Sequence, residues 1–94
     1  MSEYLVRVEI YDAGIDDYEF LHNAMSGIGM YKFLHIQGLD LKALPDGTYF
    51  GASSLTAIAL RDRVLAISRP LSSDEPSIFV AQVSDWASCL HSLS

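Results

Sequence analysis

Few side chains in this sequence can move a proton or hold a charged ligand, and they are scattered along the chain. His22 titrates nearest neutrality, so it can serve as a general acid or base, with Glu19 and Asn23 as helical neighbours. A half-buried structural histidine is the competing reading. Asp12 closes a strand-like stretch, where a carboxylate either caps the following turn or binds a divalent ion. Arg7, Lys32 and the Arg61/Arg63 pair are solvated charges unless the fold gathers them, and His35 falls within a strand pattern. No Cys-x-x-Cys, no His-x-x-x-His and no carboxylate cluster on one helix face is present, so neither a metal nor a cofactor is expected. Gly27-Ile28-Gly29 follows a helix pattern instead of opening one, so it stops a helix and cradles no phosphate. Cys89 is the single cysteine; it cannot close an internal disulfide, which fits a reducing compartment.

Ninety-four residues, half of them hydrophobic, suffice for one domain spanning 1–94 with a real core. Twelve acidic against six basic residues give a net charge of −6, which lacks the broad positive field of nonspecific nucleic-acid binders. Glu3 and Arg7 interrupt what a signal peptide would need to be apolar, and no run approaches membrane-span length. The expectation is a cytoplasmic protein with no membrane partner.

The elements that must position these residues centre on Gly27 to Ser54. Tyr31–Ile36 and Thr48–Ala52 read as strands. Gly38 and Leu44-Pro45-Asp46-Gly47 supply turn chemistry between them, with room for an extra short ladder around Leu39–Leu44. Upstream, Tyr4–Tyr11 alternates, with Tyr4, Val6, Val8 and Ile10 on one face. Asp16 and Asp17 then open a helix over 16–28, striped by Tyr18, Leu21, Met25 and Ile28. Downstream, Ser53 or Ser54 is expected to cap a second helix over 55–68, striped by Ala57, Leu60, Val64 and Ile67 and widened by Ile58 and Leu65. Pro70 ends it. Ile78–Val83 reads as a last strand, apolar on both faces and hence central. Ser84 is expected to cap a short closing helix, Asp85–Leu90, with Trp86 packed on the domain edge.

The order βαββαβ predicts a ferredoxin-like α/β fold (of the α+β kind), an antiparallel sheet with both helices on one face and the first and last strands at its middle. That fold hosts many activities and assigns none. Its copper-carrier variant needs two cysteines, and its RNA-recognition variant needs more exposed strand aromatics than Tyr11 beside Arg7. An exposed sheet face or edge strand, carrying Leu5, Tyr11 and one face of the last strand, is expected to support a homodimer.

Order and spacing carry one resemblance across most of the chain. A helix ending near Met25 leads to a strand at Tyr31, a Leu44-Pro45 loop, then Thr48-Tyr49-Phe50 running into Ser53-Ser54-Leu55-Thr56-Ala57. This pattern resembles the GhoS-type antitoxins, small endoribonucleases that silence a membrane-toxin transcript in type V toxin–antitoxin systems. That family is similar to the small CRISPR-associated endoribonucleases, which carry an acidic residue at the end of strand one; Tyr11-Asp12 looks like that feature. The resemblance implies cleavage of single-stranded messenger RNA, with His22 as acid/base, Asp12 as a further catalytic or metal-binding carboxylate, and Arg7 and Lys32 on phosphates. In the family an arginine on helix one is implicated in cleavage; here His22 stands at or near that place. The rival expectation is a non-catalytic protein-interaction module that keeps only the fold.

Overall fold

The computed structural model describes residues 1–35 and 41–90. Its elements are β1 (Ser2–Glu9), α1 (Ile15–Gly27), β2 (Phe33–His35), β3 (Leu41–Ala43), β4 (Thr48–Ser53), α2 (Ala57–Ser68), a 3₁₀ turn at Arg69–Leu71, and β5 (Ser77–Gln82). The molecule is a small α+β unit: a three-stranded antiparallel sheet ordered β4-β1-β5, a two-stranded antiparallel sheet β2-β3, and two helices.

Alternation along β1 decides the layering. Tyr4, Val6, Val8 and Ile10 are buried, and they form one core with Tyr49 of β4, Leu21 and Met25 of α1, Met30, and Leu60 and Val64 of α2. Both helices therefore cover the same face of the sheet. Cross-strand pairs Val6↔Tyr49 and Val6↔Val80 carry that face into the neighbouring strands. The opposite face holds Glu3, Leu5, Arg7 and Glu9, with Phe50 and Phe79 opposite Leu5 and Arg7.

The segment before β2 reaches the main sheet through a single bridge. Tyr31 and Phe50 exchange both backbone hydrogen bonds, at 2.9 and 2.8 Å. The expected extra ladder is present as β2-β3, though Ile36 to Asp40 lie outside the described residues. Pro45 O accepts from Thr48 N at 3.0 Å, and Gly47 takes φ +77°, the positive value a turn needs at that position.

Three expectations need correction. β5 pairs with β1 alone among the described residues, so the last strand stands at an edge and only β1 is central. One face of β5 is uncovered, as the sequence suggested: Ile78 and Val80 pack half-buried against the core, while Phe79 is 63% exposed on the other side. The second helix starts at Ala57, where Thr56 Oγ1 accepts from Ala59 N at 3.2 Å, while Ser53 Oγ takes Leu55 N. With Leu60 and Val64 facing the core, Ile58 points to solvent instead of widening the buried stripe. No closing helix forms at Asp85–Leu90; six residues are too few to offset nucleation, and Trp86 packs on Phe50 of the edge strand β4, ring centroids 5.2 Å apart.

Candidate active site

The histidine that the sequence singles out is placed by helix α1. Gly14 serves as N-cap, with its N–H donated to Asp17 Oδ2 at 3.0 Å, and Asp16 and Asp17 sit at the positive end of the dipole. Leu21 and Met25 anchor the helix to the core. Tyr18, Glu19 and His22 then fall along the flank facing the β3–β4 turn, since i and i+4 share a face. They line an open cleft of about 600 Å³ with Ala13, Gly14, Ile15, Lys32 and Asp46.

Tyr49 anchors the histidine. Its side chain is fully buried, and its hydroxyl lies 2.6 Å from His22 Nδ1. The ring centroids are 5.7 Å apart, and Tyr18 lies 6.2 Å from His22 on the other side. Burial, with smaller contributions from Tyr18 and Asp46, pushes the Tyr49 phenol far above its ordinary value, so it stays protonated. Burial also lowers the His22 pKa, and Lys32 lowers it further; Asp46 and Glu19 act the other way and do not win. The imidazole is therefore neutral at physiological pH.

One hydrogen bond serves either neutral tautomer. When Tyr49 O–H donates to Nδ1, Nε2 carries the proton and can only donate. When Nδ1–H donates to the phenol oxygen, Nε2 offers a lone pair and can accept a proton. The pair thus holds ring orientation fixed while leaving Nε2 to do either half of acid–base work.

The four expected site residues are distributed unevenly. His22 and Lys32 share the cleft. Arg7 does not line it; its Nη1 donates to Asp46 O at 3.0 Å and to Thr48 Oγ1 at 2.7 Å, which holds it against the turn that forms the cleft rim. Asp12 also lies outside: with φ +54°, it accepts from Ser73 Oγ at 2.6 Å and ties the β1–α1 connection to the loop before β5. Among the described residues no group of three or more His, Cys, Asp or Glu could hold a metal ion. Sequence reasoning missed Tyr49, Tyr18 and Asp46. Tyr18 was findable, four residues from His22 on one helix face; Tyr49 was not, because its partner is 27 residues away. No protein-family model matches this chain, and no curated protein does.

Proposed function

We propose that this chain is a GhoS-like endoribonuclease antitoxin that cuts single-stranded messenger RNA, built on a ferredoxin-like fold. One observation carries the reading: a neutral imidazole, fixed by a buried phenol, opens beside Lys32 in a cleft wide enough for a nucleotide. In this chemistry Nε2 of His22 takes the proton of a ribose 2′-hydroxyl. The freed oxygen attacks the adjacent phosphorus, and the 5′-oxygen leaves, taking a proton from water. This gives a 2′,3′-cyclic phosphate and a 5′-hydroxyl, and His22 returns its proton to solvent. Lys32 faces the phosphate charge, and Arg7 at the cleft rim is the second cation in reach of the strand. Asp12 contributes by holding the connection that brings Ala13 and Gly14 into the cleft wall. The Tyr31↔Phe50 bridge supports the ferredoxin-like order, since it sets the chain before β2 against the free edge of β4.

The test incubates highly purified protein with a transcript mixture, with and without EDTA, beside H22A and K32A. Cyclic-phosphate ends formed by the wild type and lost in H22A support the proposal. Cleavage that persists unchanged in H22A removes the histidine from the chemistry.

A second reading, a non-catalytic protein-interaction module, is favoured by a different observation. The sheet face away from the helices leaves Phe79 and Trp86 exposed, and the net charge is −6. No cleavage of any transcript by folded wild type would move the assignment there. Self-association through the β5 edge fits either reading, and sedimentation across a concentration series reports it.

A further inference from the structure

A second cavity lies on the sheet face opposite the helices, apart from the His22 cleft. It measures about 340 Å³ and is lined by Tyr31, Phe33, Phe50, Trp86, Leu34, Gly51 and Glu3. The sequence brings four aromatic rings here by three routes. Tyr31 and Phe33 stand two residues apart at the start of the β2 strand pattern, their ring centroids 6.0 Å apart. Phe50 comes from β4, bound to Tyr31 through the paired backbone bridge. Trp86 arrives from the segment after β5, tilted 59° against Phe50. Gly51, next to Phe50 on β4, contributes backbone to the wall. Tyr31 and Trp86 remain 42% and 43% exposed, so two of the four rings still meet solvent.

What such a pocket selects follows from its charges. Aromatic faces carry partial negative potential and attract cations within about 6 Å of the ring centroid. The one carboxylate among the lining residues is that of Glu3, and it has no ion-pair partner among the described residues. Lys32 faces the His22 cleft, on the other side of the strand from Tyr31 and Phe33. A chain of net charge −6 adds a field of the same sign. A phosphate-bearing ligand meets repulsion from every one of these features, whereas a cation with an apolar shell meets attraction from all of them.

We infer that the Tyr31–Phe33–Phe50–Trp86 pocket, closed on one side by Glu3, binds an organic cation of the quaternary-ammonium or methylated-ammonium class. The ligand's methyl groups contact the rings, and its charge is balanced by Glu3 and the ring faces. The site is independent of the proposed RNA chemistry, and neither needs the other.

Trp86 is the only tryptophan, so its fluorescence reports its two flanking pockets, and the Glu3 and Tyr31 variants, which line only this one, assign the response. The experiment titrates the full chain with tetramethylammonium and with choline at constant ionic strength. Parallel titrations use 3,3-dimethylbutanol, the uncharged isostere of choline, and adenosine monophosphate. Saturable change with the two cations and none with the alcohol supports the site. In E3Q the cation should bind about two- to fivefold more weakly, the scale of one exposed ion pair. In Y31A it should weaken by about threefold or more through loss of one ring. Equal response to the alcohol overturns the inference in favour of a plain apolar pocket. Response to the nucleotide in place of the cations overturns it in favour of base stacking, and no response to any probe overturns it outright. Both substituted side chains reach solvent, and circular dichroism confirms that each variant is folded before titration.

Discussion

The His22–Tyr49 pair couples the core to the cleft, and its electrostatics give the first prediction. Burial and Lys32 hold His22 below its ordinary value near 6.5. Proton NMR of the ring should therefore show a midpoint below that value. Removing the charge with K32M should raise the midpoint, while D46N should lower it, because Asp46 favours the charged form. The sign for stability follows from linkage. Between the folded and unfolded pKa values the unfolded chain binds more protons, so this group's contribution is complete above the unfolded value and is lost as pH falls through the folded one. Urea unfolding at several pH values, compared with H22Q, isolates that part; a variant curve identical to the wild type would exclude it. Y49F removes the hydroxyl and should cost about 1 kcal/mol, the usual worth of one such hydrogen bond. His22 and Lys32 were legible as candidates from residue type alone. Their meeting in one cleft was not, because it depends on the Tyr31↔Phe50 bridge and the His22–Tyr49 contact, which join segments far apart in sequence.

At the scale of elements, backbone contacts decide more than propensity does. A methyl group on Gly51 would overlap the carbonyl of Gly29, and both partners are backbone, so neither can swing aside. G51A should therefore destabilise by about 3 kcal/mol or more, or prevent folding, and it would also separate Tyr31 from Phe50. Gly27, in the last turn of α1, has open space where a methyl group would sit, with no neighbour within 4 Å, so G27A should be neutral or stabilise by up to about 1 kcal/mol. T56A removes the α2 cap and should cost about 1 kcal/mol. Thermal melts of the three variants test this order directly. The strand alternation in β1 and the helical stripes were readable because burial imposes a period on residue type. The edge position of β5 was not, since Ile78 and Val80 facing a core and Phe79 facing solvent look in sequence like a strand covered on both sides.

Across the whole molecule, charge sets what the proposed RNA chemistry can draw upon. The chain has six cations, and two are spoken for: Arg61 pairs with Asp62 at 2.9 Å and Arg69 with Glu75 at 2.8 Å. Among the described residues only Lys32 lines the cleft as a cation, with Arg7 at its rim. Two phosphate contacts to a single strand correspond to a slope of about −1.4 in log affinity against log salt. The net charge of −6 acts in the opposite sense, because salt screens its repulsion of RNA at distances beyond about 10 Å. The dependence should thus be shallow: kcat/KM for transcript cleavage should fall by no more than about sevenfold from about 50 to about 200 mM salt. K32A should flatten the slope by about 0.7 as well as lowering the rate. A slope several times steeper would require a broad cationic surface, which this charge distribution does not provide, and would move the RNA-binding site away from the His22 cleft.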